Sequence, residues 1–285
     1  MKFIHFLYIA FAIFIVAACD LEQEINIDLP DFERGIAVEC YLEPGKPFRL
    51  LMTHAEAYFA PLPPLDETFF DILLVDSASV NIIHQGVTYS LQNNFSFDIE
   101  QGKFFNYVAP QIVPANYNID FDLNIVTKDG RTITATTTIL EPITIDSVVV
   151  EFEDEPRNDT LFARTLTYFN DIPDQRNFFR RMVHLSSLDS IPLQDFSTDD
   201  RFVQDRVVFG TQFEFADGDT VFHTIFHLNE DHYNFLESTQ NAVNGNFNPF
   251  GQPSPIISNL ESDAENITGI FTGLSFDQVI SILEE

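Results

Sequence analysis

Apolar residues recur at every second position along most of this chain, and this period of two constrains the fold more than any other sequence feature. The run from Ile36 to Leu42 shows the alternation, and comparable runs follow one another to the end of the chain. Residues that favour chain reversal separate the runs, for example Pro44-Gly45, Gln85-Gly86 and Asp129-Gly130. Because side chains alternate between the two faces of a β-strand, the pattern predicts an all-β protein.

The predicted strands fall into two groups. They lie near residues 36–42, 47–54, 72–83, 87–91, 104–109, 116–127 and 131–139, and then near 145–153, 161–169, 178–185, 202–215, 220–228, 267–273 and 278–283. The spacing in the first group fits an N-terminal immunoglobulin-like β-sandwich over residues 35–143. Residues 144–285 are expected to form a second, C-terminal β domain. It contains one short predicted helix over residues 230–243, with Asn229 as its N-cap.

The amino terminus has the layout of a secretory signal peptide over residues 1–18. It contains Lys2, an apolar run from Phe6 to Val16 and no acidic residue. The run is shorter than the ~20 residues that span a bilayer, and it leads through small residues to Cys19. This ending resembles a bacterial lipobox, in which acyl chains on Cys19 would anchor the protein to a membrane. The alternative is an ordinary signal peptide with an incidental cysteine. Residues 19–34 are then an acidic tether.

The charge and the cysteine content of the chain exclude several kinds of partner and an intramolecular disulfide. The chain has 14 Lys and Arg residues against 44 Asp and Glu residues, a formal net charge of −30. That charge repels phosphate, which excludes nucleic acid and electrostatic docking on anionic lipid. With Cys19 acylated, Cys40 has no disulfide partner, and its place in an alternating run predicts a buried thiol. The 31 Phe residues and the absence of Trp favour β core packing over carbohydrate platforms.

No residue pattern points to catalysis. The sequence lacks the G-x-S-x-G and S-x-x-K nucleophile motifs. His223, His227 and His232 are the most metal-like group, but the first two follow a strand pattern that would separate them by about 13 Å. Asp217-Gly218-Asp219 and Asp199-Asp200 offer oxygen ligands suited to Ca²⁺, yet the first is more typical of a hairpin turn. We therefore expect no catalytic residue, cofactor or metal, and no enzyme.

An apolar, proline-containing loop between strands is the candidate partner site. Its members are Tyr58, Phe59, Pro61, Leu62, Phe69 and Phe70. Exposed apolar patches of this kind mark partner sites, and a buried loop is the alternative interpretation. The loop over residues 248–255 is a second candidate of the same kind.

Phrases spread along the chain resemble a known family. They lie at residues 25–30, 41–45, 177–180, 248–253 and 269–271. In their order they are similar to the Bacteroidota lipoproteins catalogued as domain-of-unknown-function family 4249. That family has no assigned catalytic residues to carry over. The resemblance implies an outer-membrane location, a sandwich followed by a second β domain, and association with TonB-dependent outer-membrane transporters.

These observations predict a lipid-anchored outer-membrane accessory or ligand-binding protein without catalytic activity. We expect it to be exposed at the cell surface and to be the partner of a TonB-dependent transporter, with the periplasmic face as the alternative location. A cell-surface adhesion or structural lipoprotein is the second functional hypothesis. A metal-dependent hydrolase is the third.

Overall fold

Strands dominate the structure, a computed structural model that describes residues 34–55, 64–99, 102–157, 159–201, 205–246 and 255–285. The strands are β1 (Gly35–Leu42), β2 (Pro47–Ala55), β3 (Ser79–His84), β4 (Val87–Asp98), β5 (Lys103–Ile112), β6 (Asp120–Val126), β7 (Thr132–Thr138), β8 (Ile145–Phe152), β9 (Ala163–Asn170), β10 (Phe178–Leu185), β11 (Gln194–Asp199), β12 (Arg206–Gly210), β13 (Thr220–Leu228), β14 (Glu261–Ser262), β15 (Ile267–Gly273) and β16 (Ser275–Ile282). The helices are α1 (Phe69–Leu73) and α2 (Glu230–Asn246). Residues 34–285 form one compact unit. The predicted all-β class is confirmed.

The largest sheet joins the first seven strands to two strands from near the end of the chain. Its nine strands follow the order β14-β7-β6-β3-β4-β5-β2-β1-β15. The pair β1 and β15 is parallel, and the other neighbours are antiparallel. The end of β15 returns to the end of β7, where a Cβ added to Gly273 would stand 2.3 Å from the carbonyl oxygen of Thr138. The sheet is therefore nearly closed.

Inward side chains of this sheet form one apolar core, in which Cys40 lies fully buried. The predicted buried thiol is confirmed. Desolvation raises the pKa of the Cys40 thiol to about 12. Since the thiolate is the reactive form of cysteine, this residue packs as a small apolar side chain at neutral pH.

Two smaller sheets account for the remaining strands, in the orders β11-β10-β13-β16 and β12-β9-β8. Their buried side chains form two apolar clusters drawn from residues 143–283. The core of the large sheet draws instead on residues 36–139 and on Phe271. Core composition therefore changes at the predicted boundary of residue 143, while β14 and β15 cross back to the large sheet. The division into two domains stays a prediction.

The short helix α1 corrects the prediction of a strand over residues 72–83. The chain is helical up to Leu73, and β3 begins only at Ser79. The Asp66 carboxylate accepts hydrogen bonds from the backbone N–H and the hydroxyl of Thr68, at 2.9 and 2.7 Å, which forms a turn just before α1. The prediction failed because a five-residue helix is too short to show a period of 3.6 residues.

Helix α2 confirms the predicted helix and extends it to Asn246. Its first turn carries Glu230 and Asp231, whose negative charges suit the positive end of the helix dipole. Strand β11 was not predicted. No helix within the described ranges combines the length and the apolar character needed to cross a membrane.

We predict that Gly269→Ala destabilises the protein far more than Gly45→Ala. Both glycines have positive φ, +131° and +84°. A Cβ at Gly269 would stand 1.9 Å from the carbonyl oxygen of Val38, whereas a Cβ at Gly45 meets nothing within 4 Å. The expected loss is at least about 3 kcal/mol for Gly269→Ala and roughly 1–2 kcal/mol for Gly45→Ala. Denaturant unfolding measures both, and equal losses would contradict the close contact of β1 with β15.

Candidate functional site

The site begins where β2 separates from β5. The two strands pair as far as Leu50 and Tyr107, and beyond that point the chain after α1 lies against β2. There the backbone N–H of Val75 donates to the carbonyl oxygen of Met52 at 3.0 Å. The position of α1 therefore depends on how residues 74–75 are held beside the sheet.

Asn106 holds this segment with its side-chain amide. Its Oδ1 accepts from the backbone N–H of Met52 at 2.8 Å, and its Nδ2 donates to the carbonyl oxygens of Met52 and Val75 at 2.9 Å each. The side chain thus replaces the strand pairing that β2 and β5 lose. Asn106 is buried, so these groups have no access to water as a substitute partner.

Tyr107 fastens the same segment. Its hydroxyl donates to the carbonyl oxygen of Val75 at 3.1 Å and accepts from the backbone N–H of Ala78 at 3.0 Å. Desolvation raises the pKa of Tyr107, which keeps the hydroxyl protonated as a donor. Two neighbouring side chains of β5 therefore fix the end of α1 on the sheet.

Helix α1 and the β4–β5 hairpin form an exposed aromatic surface, defined here by Phe69, Phe70, Phe95 and Phe104. The Phe70 ring centroid lies 5.4 Å from that of Phe69, 5.2 Å from that of Phe95 and 5.6 Å from that of Phe104. All three pairs are edge-to-face, a favourable geometry for aromatic rings. Even so, Phe70 is 43% exposed and Phe95 is 51% exposed.

Three further apolar side chains, on β4 and on the segments next to α1 and β4, are also exposed. Phe97 is 54% exposed and pairs across the hairpin with Phe104. Leu65 before α1 and Ile99 after β4 are 90% and 86% exposed. Water-facing apolar side chains that occur singly are ordinary, but a group that includes packed phenyl rings is typical of a contact site for a partner.

A β-bulge and an ion pair shape the hairpin that carries these rings. The register shifts between Asn93 and Ser96 of β4, which adds a residue to one strand and increases the local twist. Beyond the bulge, Asp98 pairs with Arg49 of β2, whose guanidinium carbon lies 4.6 Å from the Phe105 ring centroid. The hairpin therefore stays attached to the sheet while its phenyl rings remain exposed.

The structure brings two of the predicted partner residues into this surface. Phe69 and Phe70 lie there, on α1. Tyr58, Phe59, Pro61 and Leu62 lie outside the described residues, as do Cys19 and residues 248–254 of the second candidate loop.

Sequence analysis missed the β4–β5 side of the site. The predicted strand ended at residue 91, although Phe95, Phe97 and Ile99 alternate with polar residues up to the hairpin turn. That alternation was the available signal. Asn106 was missed as well, and its signal is a lone amide inside the apolar run of β5. Nothing in the sequence indicates that Asn106 contacts Met52 and Val75.

The strand over residues 220–228 is confirmed as β13, and its histidines are buried. The His223 ring nitrogens contact the hydroxyls of Ser281 at 2.8 Å and Thr167 at 3.4 Å. His227 Nδ1 donates to the carbonyl oxygen of Glu141 at 2.7 Å. Among the described residues, no three His, Cys, Asp or Glu side chains are grouped so as to hold a metal ion.

His232 lies elsewhere, at the start of α2. Its ring centroid is 5.6 Å from that of Tyr41, and neither ring nitrogen has a hydrogen-bond partner. Desolvation and the nearby Arg180 lower the pKa of His232 to about 3, and burial lowers the pKa of His223 to about 4. Both imidazoles are therefore neutral near pH 7.

The carboxylates considered for calcium have protein partners. Asp219 accepts from the backbone N–H of Ala216 at 2.8 Å, in a turn where Gly218 has φ of +85°. Asp199 accepts from Arg176 and Arg201, and hydrogen bonds from these two side chains lower its pKa to about 2. These contacts stabilise a hairpin turn and a loop.

A family described as "Domain of unknown function (DUF4249)" matches residues 22–279 of the chain. No curated protein matches the chain.

We predict that Asn106→Ala destabilises the protein by about 2–3 kcal/mol, because it leaves the buried N–H of Met52 without a partner. The control is Asn81→Ala, which removes a partly exposed amide bonded to the hydroxyls of Ser79 and Ser90 and is expected to cost less than about 0.5 kcal/mol. Amide hydrogen exchange at Val75 should accelerate in the first variant alone. Equal stability losses in the two variants would show that Asn106 does not hold α1.

We predict that acid weakens the fold through its buried histidines. The pKa of His232 is about 3 in the folded state and about 6.5 in the unfolded state, so the unfolded state binds more protons between these values. The contribution of His232 to the free energy of unfolding is therefore fully present above pH 6.5. It decreases as the pH falls, by roughly 3 kcal/mol at pH 4. His232→Leu removes this dependence without breaking a hydrogen bond. Unfolding free energies measured from pH 7 to pH 4 test it, and an unchanged slope in His232→Leu would contradict the assignment.

Proposed function

Since this chain belongs to the domain-of-unknown-function family DUF4249, we propose that it is a lipid-anchored, non-catalytic accessory or ligand-binding protein of the outer membrane. Its partner in this proposal is a TonB-dependent outer-membrane transporter. The aromatic surface on α1 and the β4–β5 hairpin is the observation that supports a binding role, because its phenyl rings remain in water in the isolated chain.

Energetics support this surface as a contact site. Fully burying a phenylalanine side chain contributes about 1.5–3 kcal/mol, and large aromatic side chains dominate the energy of protein interfaces. Phe70 and Phe95 are each about half exposed, so half of that free energy is still available to a partner. The anchoring by Asn106 and Tyr107 also lowers the ordering cost on binding, since α1 is already held on the sheet.

Anchoring in this proposal comes from Cys19. Cleavage after the signal peptide of residues 1–18 would leave Cys19 as the acylated first residue, followed by the acidic tether of residues 19–34. Acyl chains hold such a protein at the membrane without a spanning segment. The net charge of −30 is consistent with attachment through lipid, because it opposes electrostatic attraction to an anionic surface.

The proposal also includes a division of the chain into two domains. We propose that residues 35–143 act as an immunoglobulin-like sandwich and residues 144–285 as a second β domain. The change of core cluster at residue 143 supports this division. The return of β14 and β15 to the large sheet would then tie the second domain to the first.

We predict that the full chain, purified from gently solubilised outer membranes, carries a TonB-dependent transporter with it. Replacing both Phe70 and Phe95 with Ser should lower recovery of the transporter at least tenfold, since each ring removed costs about 1–1.5 kcal/mol of contact energy. The matched control is Ile280→Ser, which changes an exposed apolar residue on β16.

Two results would count against the proposal. Recovery of no transporter with the wild-type chain would contradict the partner, and equal recovery with the double variant would contradict the aromatic surface. A Cys19→Ala chain separates anchoring from binding, because it should leave the membrane fraction while retaining the folded body.

A further inference from the structure

A layer of polar side chains separates the two apolar clusters of the smaller sheets. On β10, Arg181 lies between Phe179 of one cluster and Val183 of the other. On β9, β13 and β16, polar residues likewise lie between members of the two clusters. These residues, with Thr211 just after β12, are named here the polar layer: Thr165, Thr167, Arg181, Thr211, His223 and Ser281. Polar residues at inward positions of four strands depart from the apolar alternation found elsewhere, and such departures concentrate at functional places.

Arg181 is the charged member of the layer and is only 1% exposed. Its Nη1 donates to the carbonyl oxygen of Gly210 at 3.2 Å, while Nε and Nη2 have no hydrogen-bond partner. Among the described residues, no carboxylate lies within 4 Å of this guanidinium, and Glu214 attracts it only from a longer distance. The neighbouring Arg180 differs, because it forms a two-bond ion pair with Asp195 at 2.7 Å.

The charge of Arg181 is not removed by proton loss. Burial lowers the pKa of its guanidinium to about 10, so the group stays protonated at neutral pH. The Phe209 ring centroid lies 5.7 Å from its Cζ and offers a weak cation–π contact. A buried cation without a directly paired counter-ion is strongly destabilising. Its electrostatic partner is Glu214, which forms no ion pair with Arg181, so the guanidinium lacks a contacting anion.

The remaining members of the layer offer hydrogen bonds without charge. The His223 imidazole is neutral near pH 7, and its ring nitrogens contact Ser281 and Thr167. Thr165 and Thr211 bond to each other through the N–H of Thr165 at 2.9 Å. A water molecule placed at Arg181 would accept its free N–H groups but would leave the charge in place. An anion satisfies both requirements.

We propose that the polar layer binds one small monovalent anion, of the size of chloride, at Nε and Nη2 of Arg181. The size of the anion follows from enclosure, because both nitrogen atoms are shielded from solvent. A phosphate or an organic acid would need the two small sheets to separate. The bound anion stabilises the second half of the chain and links its stability to the halide concentration.

Thermal unfolding of the detergent-solubilised full chain tests this site. At constant ionic strength, replacing sodium gluconate with sodium chloride up to 300 mM should raise Tm by roughly 3–5 °C. The rise should persist in Arg180→Met, the adjacent paired arginine, and disappear in Arg181→Met. Equal Tm values in the two salts, or a chloride response that survives in Arg181→Met, would overturn the proposal.

A second measurement keeps the test decisive if Arg181→Met does not fold. Crystals of the wild-type chain grown in sodium bromide should show a bromine anomalous peak in contact with Nε and Nη2 of Arg181. Density for water alone at this position, without an anomalous signal, would overturn the proposal. Neither measurement depends on a transporter or on acylation of Cys19, so failure here is distinct from failure of the proposed function.

Discussion

The close approach of β1 and β15 is the contact on which the rest of the structure depends. Side chains are excluded where Gly269 meets Val38, and again where Gly273 meets Thr138. Because these glycines let backbones touch, a strand from near the end of the chain can pair in parallel with the first strand and bring the sheet close to closure. The same connection places β16, two residues after β15, in one of the smaller sheets. Two short glycine contacts thus fix β15, the strand through which the large sheet connects to the four-stranded sheet.

A second constraint in the large sheet lies at the junction of β2 and β5. There β2 leaves β5, and backbone groups that would normally pair across the gap need other partners. Asn106 and Tyr107 supply them, and in doing so they attach the segment that follows α1. The exposed rings of α1 and the hairpin are thus fixed by buried polar contacts.

Most strands could be predicted from the sequence because alternation is a local property. The ranges of β10 and β13 matched residue for residue, since clear turns bound each run. Partners could not be predicted, because a period of two does not specify which strand lies alongside. The pairing of β15 with β1 and the contact of Phe70 with Phe95 both depend on residues far apart in the chain. Half of the candidate site was therefore foreseen, namely Phe69 and Phe70 on α1.

The Phe content illustrates why composition alone misleads about function. Phe48, Phe121 and Phe271 fill the core of the large sheet, as the alternation predicts. Phe70 and Phe95 have the same chemistry and similar sequence surroundings, but they face water because of how α1 and the hairpin are attached. The buried Arg181 is the converse case, since a charged residue occupies a position where alternation predicts an apolar one. In both cases the residue opposes the local pattern and the surrounding structure holds it there. Exposing phenyl rings and burying a charge both cost free energy that folding alone does not require. This cost is why we propose binding at two separate sites, the aromatic surface and the polar layer.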